Sequence, residues 1–277
     1  MSGEGLDGAV DVVRFPGGRR ETDRVALEVP LASRVRGQNV AVTMRTPGTA
    51  GADAELAAGL LFTEGLIHKR ADVTSIDTRA LPEGDVADVA LRWDAAFDPE
   101  RLRRGSFVSS SCGVCGKATL EAVRGAHPPL RAAERWGGGV GKGDEAPNVE
   151  PLAAMPERLR ARQPGFEATG GLHAAALFDA RCGLRVLRED VGRHNAVDKC
   201  VGRAWLDGSD LSGGALCVSG RVSLEIVQKA LAARVGAVVA VSAPTSLAVE
   251  FARENGQLLC GFVRGGAMVV YAGAPRG

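Results

Sequence analysis

The pattern of hydrophobic and polar positions changes character along the chain. In the first third, short runs of alternating apolar and polar residues predict β-strands. They lie at 25–29, 40–44, 73–76 and 86–91. One helix is predicted over 51–65, with leucines at helical spacing, Asp53 as its N-cap and Gly65 as its end. Residues 1–105 are therefore expected to form a small α+β unit.

From residue 151 onward, predicted helices and strands alternate regularly. The helices are expected at 152–162, 194–205, 222–235 and 245–254. The strands are expected at 173–178, 184–187, 215–218, 237–241, 257–263 and 267–271. Several of these strands are almost continuously apolar, which is typical of central strands covered by helices on both faces. Residues 151–277 are therefore predicted to form a three-layer α/β domain with a mixed sheet.

The segment between these two parts, residues 106–150, has a different composition. It begins with a serine-rich stretch and the pair Cys112 and Cys115, and a short helical stretch follows at 118–124. From residue 131 the chain is rich in glycine and charge, with a run of glycines at 137–143. Such a composition buries little apolar surface, so we expect a flexible connector and a domain boundary here.

Composition and charge exclude several classes of protein. The chain has 34 Lys+Arg against 33 Asp+Glu, a net charge of +1, so bulk phosphate attraction does not hold it to nucleic acid. A hydrophobic fraction of 45% excludes disordered and fibrous chains. No stretch reaches the roughly 18 uninterrupted apolar residues of a membrane span. We therefore expect a cytoplasmic protein without nucleic-acid or membrane partners.

The six cysteines divide into four single residues and one close pair. The single cysteines sit inside apolar runs and are predicted to be small buried residues: Cys182, Cys200, Cys217 and Cys260. The chemistry is expected at the pair, Cys112 and Cys115. A thiolate is the reactive form, and a helix N-terminus and a cation lower the pKa of its thiol. The following Gly116 and Lys117 supply both if a helix begins there.

Four chemistries compete for this pair. A structural zinc site needs a second close pair of Cys or His, which the sequence lacks. A zinc deaminase needs a His-x-Glu motif, and none of the four histidines is followed by Glu at that spacing. A thioredoxin-like dithiol cycle and the carriage of sulfur as a persulfide both remain open. No metal of the protein's own is expected.

Two strand-to-helix connections, 217–223 and 241–246, share one construction. In each, an apolar strand ends in a serine and a short turn of small residues or proline. Open α/β sheets bind ligands at the carboxyl ends of their strands, where helix N-termini attract anions. Arg221 adds a cation to the first loop, and the hydroxyls of Ser219, Ser242, Thr245 and Ser246 are candidate donors on the two loops. Helix capping explains any single hydroxyl equally well, so both interpretations stay open.

Two further loops carry candidate ligand-binding residues. The loop 189–195 contains Arg193, His194 and Asn195, which are suited to contact a phosphate, a base or a reaction intermediate, and His194 is the side chain most easily tuned near neutral pH. Its structural alternative is an Asp190 N-cap with His194 paired to Asp198. The turn 262–267 joins the last two strands through two glycines. This turn is either a plain hairpin or a place where backbone approaches a phosphate while an aromatic face stacks on a base.

The chain resembles the FdhD family, the formate dehydrogenase accessory sulfurtransferases, over nearly its whole length. An isolated Cys-x-x-Cys is a weak match, but here an ordered set of segments carries the resemblance. The matching segments are 110–117, 171–177, 189–199, 219–221, 242–249 and 261–266.

The resemblance implies a sulfurtransferase. Cys112, with Cys115 beside it, would accept sulfur as a persulfide from a cysteine desulfurase. It would deliver the sulfur to the molybdenum cofactor, in its bis-molybdopterin guanine dinucleotide form, before that cofactor enters formate dehydrogenase. The alternative is a non-enzymatic chaperone that binds this cofactor and carries a structural or redox dithiol.

The resemblance also implies a cytidine-deaminase-like fold for the C-terminal half, without the deaminase zinc, and a homodimer. It assigns the guanine nucleotide part of the cofactor to one continuous segment. That segment consists of Phe262, Val263, Arg264, Gly265, Gly266 and Ala267. Ser219, Arg221 and His194 join this candidate set on the residue arguments given above.

Overall fold

Two β-sheets and a separate hairpin make up the strands of the protein. The computed structural model describes residues 5–82, 84–98, 127–137 and 149–273. Cys112, Cys115 and the greater part of the glycine-rich connector lie outside these residues. The hairpin consists of β1 (Asp7–Arg14) and β2 (Arg19–Ala26), paired antiparallel.

The smaller sheet has four strands in the order β4-β3-β6-β5. Their bounds are β3 (Val29–Val35), β4 (Gln38–Arg45), β5 (Val73–Arg79) and β6 (Asp85–Leu91), and a 3₁₀ turn at Arg70–Asp72 precedes β5. Helix α1 (Ala52–Thr63) covers one face of this sheet. The core between them contains Leu31 and Val35 of β3 and Leu56 and Leu61 of α1. The predicted α+β character of the N-terminal part is confirmed.

Three details of this part differ from the sequence prediction. The hairpin was not predicted, because its strands are highly charged and largely exposed and so lack an apolar face. The predicted strand 25–29 is instead the end of β2 and the start of β3, which continues through Pro30. Proline is tolerated near the beginning of a strand, where its missing N–H costs little. Asp53 is not the N-cap of α1: Gly51 holds that position, and both carboxylate oxygens of Asp53 bond Arg45, at 2.8 and 2.7 Å.

The larger sheet has six strands in the order β12-β11-β10-β9-β7-β8. The middle strands β9, β10 and β11 are parallel to one another, whereas β7, β8 and β12 run antiparallel to their neighbours. Their bounds are β7 (His173–Phe178), β8 (Leu184–Asp190), β9 (Ala215–Val218), β10 (Ala237–Ala240), β11 (Leu258–Arg264) and β12 (Ala267–Ala272).

Helices cover both faces of this sheet. A 3₁₀ turn at Ala132–Glu134 precedes them, and their bounds are α2 (Glu150–Ala153), α3 (Met155–Arg160), α4 (Pro164–Thr169), α5 (Arg193–Leu206), α6 (Leu224–Ala232) and α7 (Ser246–Asn255). Residues of α5, α6 and α7, among them Val201, Val227 and Phe251, build the core on one face. Leu152 and Leu159 of α2 and α3 pack on the other. The predicted three-layer α/β architecture with a mixed sheet is confirmed.

Some boundaries in this half also differ. The helix predicted over 152–162 is two short helices, α2 and α3, because the chain is interrupted at Ala154 just ahead of Pro156. Helix α4 was not predicted. The cytidine-deaminase-like detail and the domain boundaries at 105 and 150 stay predictions.

The two sheets are joined by a close crossing of α1 and α5. A Cβ atom on Gly59 would lie 1.9 Å from the carbonyl oxygen of Asp198, and one on Gly202 would lie 1.8 Å from that of Glu55. Two buried lysines reinforce the contact. Lys199 donates to the carbonyl oxygen of Thr46 at 2.7 Å, and Lys229 donates to the hydroxyl of Thr63, the last residue of α1, at 2.9 Å. These contacts fix the position of α5. This helix begins at the edge of the six-stranded sheet where the cavity described below opens.

Burial was predicted correctly for three of the four single cysteines. Cys200, Cys217 and Cys260 are buried, whereas Cys182 is only half-buried, in the turn between β7 and β8. The prediction for Cys182 was wrong because this residue lies in a turn, with a φ of 61°, and not inside a strand. Its side chain is therefore only partly covered. Across the described ranges, the helices are all too short or too polar to cross a bilayer.

Candidate functional site

A cavity of about 510 Å³ opens at one edge of the six-stranded sheet. Ser219 follows β9, Val241 follows β10, and Val263 and Arg264 end β11, and all four line the cavity. Because these three strands are parallel, their carboxyl ends meet at the same edge. The two loops after β9 and β10 also pair with each other through a bridge between Val222 and Pro244. The expectation that both loops line this edge is confirmed.

The opposite wall of the cavity comes from the short helices α3 and α4. Leu159 and Phe166 contribute apolar surface there, together with Leu172 just before β7. Arg160 lies over the ring of Phe166, with its guanidinium carbon 4.8 Å from the ring centroid, and pairs with Glu167 at 2.6 Å. Apolar walls with a polar rim are typical of small-molecule sites, whose volumes are about 300–1,000 Å³.

Helix α4 is held in place by a buried carboxylate from the neighbouring strand. Glu189, near the end of β8, accepts hydrogen bonds from the backbone N–H groups of Gly165 at 2.9 Å and Phe166 at 2.7 Å. These N–H groups belong to the first turn of α4, where they have no partner within the helix. The negative charge of a carboxylate at this position is also stabilised by the positive, N-terminal end of the helix dipole. Glu189 thereby positions Phe166 on the cavity wall.

Ser219 and Thr245, one from each of the two strand-to-helix loops, have structural partners. The backbone N–H of Ala174 donates to the Ser219 hydroxyl oxygen at 2.9 Å, which ties the loop after β9 to β7. Thr245 caps α7 by accepting from the N–H of Ala248 at 3.4 Å. Capping therefore accounts for Thr245, whereas Ser219 also lines the cavity.

The turn between β11 and β12 borders the cavity. Gly265 and Gly266 have φ values of 57° and 79°, as a two-residue hairpin turn requires. Phe262 has a φ of 51° and a half-exposed ring. A non-glycine residue in this conformation costs about 1–3 kcal/mol, and such residues are enriched at functional sites. Ala267 starts β12 beside the turn. The hairpin interpretation is thus correct, and of the candidate segment 262–267 the residues Val263 and Arg264 line the cavity. The assignment of this segment to a cofactor stays a prediction.

His194 faces a different neighbour from the one the sequence suggested. Its Nε2 atom lies 2.8 Å from the carboxylate of Glu225 and 3.2 Å from the hydroxyl of Ser223. The hydrogen bond from His194 lowers the pKa of Glu225. The alternative pairing with Asp198 is wrong, because Asp198 is buried against Lys229. His194 does not line the cavity, and its assignment to the cofactor stays a prediction.

Asp190 organises the loop before α5 without capping the helix in the ordinary way. Its carboxylate accepts from the backbone N–H of Gly192 at 2.8 Å and from the side-chain amide of Asn195 at 3.0 Å. Gly192 is the N-cap residue, so the proposed Asp190 N-cap is wrong. Lys199 neutralises the buried Asp190. The loop that starts α5 is therefore rigidly held at the sheet edge.

Sequence reasoning missed the residues that close the cavity. Leu159, Phe166 and Leu172 come from segments that carry no ligand-binding motif, and only the fold brings them opposite β9 and β10. His173 also lines the cavity, and the only signal for it was its place in a segment that matches the family. Within the ranges that the structure describes, no three His, Cys, Asp or Glu residues come together as metal ligands.

A sequence profile of the FdhD/NarQ family matches residues 26–277. The chain belongs to the FdhD/NarQ family. The resemblance recognised in the motifs is thereby confirmed. The curated relatives of the protein include the sulfur carrier protein FdhD of Streptomyces avermitilis, whose sequence is 45% identical. The match covers 96% of this chain and 93% of that relative. The sulfur carrier protein FdhD of Mycobacterium tuberculosis is 43% identical, covering 92% and 91%.

A solved structure shares the fold. The crystal structure of a formate dehydrogenase accessory protein from Desulfotalea psychrophila superposes with a TM-score of 0.69 and covers 96% of each chain. Its sequence is 23% identical, so this similarity establishes the architecture of the FdhD/NarQ chain and not its activity.

Proposed function

We propose that this protein is a sulfur carrier for the maturation of formate dehydrogenase. Cys112 accepts sulfur from a cysteine desulfurase and the protein transfers it to the molybdenum cofactor, as the bis-molybdopterin guanine dinucleotide, before insertion into the enzyme. Full-length relatives at 43–46% identity are named sulfur carrier proteins, which supports the role. The observation that carries the cofactor part of the proposal is the cavity at the sheet edge, bordered by Ser219, Val263 and Arg264.

The first step is an exchange between a thiolate and a persulfide. The Cys112 thiolate attacks the outer sulfur of the desulfurase persulfide. A new S–S bond forms on Cys112 while the desulfurase cysteine leaves as a thiolate, so no external oxidant is needed. The charge and the number of electrons are conserved in this exchange.

The second step releases the sulfur in a form that molybdenum can bind. The Cys115 thiolate attacks the inner sulfur of the Cys112 persulfide, so a Cys112–Cys115 disulfide forms and hydrosulfide leaves. The dithiol supplies the two electrons that reduce the carried sulfur to the sulfide level. A cellular thiol reductant then restores both thiols.

The site at the sheet edge suits the nucleotide end of the cofactor. Apolar walls accept a planar ring system, the exposed ring of Phe262 offers a stacking face, and Arg264 supplies a cation at the rim. In this proposal Gly265 and Gly266 let the backbone approach the ligand. The carrier works in the cytoplasm as a homodimer, with a desulfurase and formate dehydrogenase as its protein partners.

A chaperone that only binds and hands on the cofactor is the second candidate. It is favoured by one observation: the described residues alone enclose a cavity at the sheet edge whose size suits a small-molecule ligand. The two functions differ in whether sulfur passes through the protein.

The decisive experiment follows sulfur onto one peptide. After incubation with a cysteine desulfurase and cysteine, mass spectrometry of the wild-type protein is expected to show one added sulfur on the peptide that contains Cys112. Cys112→Ala is expected to abolish activation of formate dehydrogenase while leaving the protein folded. Cys182→Ala serves as the matched control and should retain activation. Full activation by Cys112→Ala, with no persulfide on the wild type, would establish the chaperone instead.

A further inference from the structure

A single tryptophan projects from the small sheet into solvent. Trp93 follows β6 and is 92% exposed, the highest value of any large apolar side chain among the described residues. Scattered exposed apolar residues are common on protein surfaces and by themselves mean little. Tryptophan is nevertheless among the side chains that most often carry the binding energy of protein interfaces, because a partner that covers it buries a large area.

The tryptophan loop, residues 92–95, is held in place by one arginine. Arg36 lies in the turn between β3 and β4, and its Nη2 atom donates to the backbone carbonyls of Arg92 at 3.0 Å and Ala95 at 2.9 Å. The carbonyl oxygen of Trp93 lies 3.4 Å from the same atom. Both carboxylate oxygens of Asp94 accept from Arg92, at 3.0 and 2.7 Å. A partner that covers the tryptophan therefore does not have to order this loop first.

The tryptophan loop lies where the chain leaves the described residues towards the cysteine pair. Asp98 is the last described residue before that segment, and it lines a cavity of about 320 Å³ together with Gly65, just after α1. His127 is the first described residue after the segment, and its Nε2 atom lies 3.0 Å from the carbonyl oxygen of Thr63, which ends α1. Both ends of the segment that contains Cys112 are thus anchored at the C-terminal end of α1.

This surface is distant from the cavity at the sheet edge. The backbone N–H of Arg92 donates to the carbonyl oxygen of Asp72 at 2.8 Å, which places the tryptophan loop beside the 3₁₀ turn before β5. In that turn, Nε of Arg70 donates to the carbonyl oxygen of Leu206, the last residue of α5, at 2.5 Å. Helix α5 begins at the cavity edge, and its 14 residues span about 20 Å. A protein anchored on Trp93 therefore binds about one helix length from the cavity.

We propose that Trp93 anchors a docking surface for the protein that donates sulfur to Cys112. The proposal deepens the proposed function and rests on it. The docking surface, called the donor surface below, consists of the tryptophan loop and the smaller cavity beside it, which is lined by Gly65, Leu66, His68, Ala96, Phe97 and Asp98.

The donor fits this place better than the recipient of the sulfur. Exchange between a thiolate and a persulfide requires direct contact of the two sulfur atoms, so the donor has to bind within reach of Cys112. Cys112 follows Asp98 by 14 residues, and an extended chain covers about 3.3 Å per residue, which sets a limit of about 46 Å. Both the donor surface and the cavity lie within this limit. The cavity is the proposed site of the cofactor that receives the sulfur, and a donor at the other end of α5 leaves it accessible.

The first measurement is the binding of purified cysteine desulfurases of the same organism to the intact protein, by biolayer interferometry. Trp93→Ala is expected to weaken this binding about thirtyfold or more, the loss that marks an interface hot spot. Arg36→Gln should weaken it less, because the loop then has to be ordered on binding. Phe15→Ala removes an equally exposed ring, 84% exposed at the tip of the β1–β2 hairpin, and is the matched control that should bind like the wild type. A thermal unfolding midpoint equal to that of the wild type confirms that each variant is folded.

The second measurement is the rate at which the Cys112 peptide gains sulfur. With a desulfurase and cysteine, Trp93→Ala should react more slowly at low desulfurase concentration and reach the wild-type rate at saturation. Glutathione persulfide passes its outer sulfur to the same thiolate, with the glutathione thiolate as the leaving group, and needs no docking. The wild type and Trp93→Ala should therefore react equally fast with it. An equal loss of rate with both donors would show that the substitution disturbs Cys112 itself and would overturn the donor surface.

Two binding results would also refute the donor surface: no desulfurase binds the wild type, or Trp93→Ala binds as tightly as the wild type. In the second case, Trp93-dependent binding of formate dehydrogenase would assign the surface to the client, and conversion of a dimer to a monomer by Trp93→Ala would assign it to a second copy. The proposed function fails in a different way. Trp93-dependent binding of a desulfurase without any persulfide on Cys112 would refute sulfur carriage and leave the docking surface intact.

Discussion

At the scale of single residues, burial decides which cysteines can react. Burial raises the pKa of the Cys200 and Cys260 thiols to about 12 and raises the pKa of Cys217 as well. Cys200 also donates its S–H to the carbonyl oxygen of Ala175 at 3.1 Å. At neutral pH these groups remain thiols, and a thiol is a poor nucleophile. Burial and the raised pKa values therefore both disfavour sulfur carriage by these three residues.

Alkylation of the native protein provides the corresponding measurement. After brief treatment with iodoacetamide at neutral pH, peptide mass spectrometry is expected to show Cys200, Cys217 and Cys260 unmodified. Half-buried Cys182, whose pKa burial also raises, should react slowly. Unfolding in denaturant should make all of them reactive, which is the control. Rapid labelling of Cys217 in the native protein would contradict the burial argument.

At the scale of elements, the crossing of α1 and α5 depends on two glycines. Each packs against the backbone of the other helix, and a methyl group at either position would overlap a carbonyl oxygen. Most helix pairs meet through side chains at interaxial distances of about 8–10 Å. The absence of side chains here lets the backbones approach closely and brings Lys199 and Asp198, on α5, to their partners.

Gly202→Ala is expected to destabilise the protein despite the better helix propensity of alanine. Propensity alone would add about 1 kcal/mol of stability. The overlap with the Glu55 carbonyl cannot be relieved by a rotamer change, because both atoms belong to backbones or are fixed to them. Overpacking of this kind costs about 1–3 kcal/mol or more. Urea unfolding should therefore show a net loss of stability.

A double variant supplies the control for this interpretation. Once Gly202→Ala has pushed the helices apart, adding Gly59→Ala should cost less than it does alone, since neighbouring sites are not additive. Strictly additive losses would indicate that each alanine acts within its own helix and not at the crossing.

At the scale of the whole molecule, two buried lysines of the C-terminal half, each paired with a carboxylate there, donate hydrogen bonds to the N-terminal part. The Nζ atom of Lys199 donates to the carbonyl oxygen of Thr46 at 2.7 Å and pairs with Asp190. Lys229 donates to the Thr63 hydroxyl at 2.9 Å and pairs with Asp198. The N-terminal residues of these networks lie more than a hundred positions from their partners. We therefore expect both sheets to unfold in one cooperative transition.

Lys199→Met tests this coupling. Removing one member of a buried ion pair leaves an uncompensated charge and costs about 3–5 kcal/mol. The variant should unfold at lower urea concentration, still in one step by circular dichroism and tryptophan fluorescence. Adding Asp190→Asn should restore part of the loss, because the remaining amide carries no charge. Two separate transitions in the wild type would show that the sheets unfold independently.

Local patterns predicted much of the fold and part of the site. The bounds of β7 and β9 agree with the sequence prediction, since a continuous apolar run between turn residues is sufficient to define a buried strand. The charged hairpin β1–β2 was missed because its strands have no apolar face to reveal them. Asp53 was assigned to a cap because the sequence does not show that Arg45 lies within reach.

The sequence by itself determined the family, the mixed α/β class and the residue types at the carboxyl ends of β9 and β10, because these depend on local order and periodicity. Only the tertiary structure decided that α3 and α4 close a cavity over that edge. It also decided that His194 turns to Glu225 and that Arg36 holds the loop that carries Trp93. Such contacts join residues distant in sequence, and their geometry follows from how helices and strands pack, which no local pattern records.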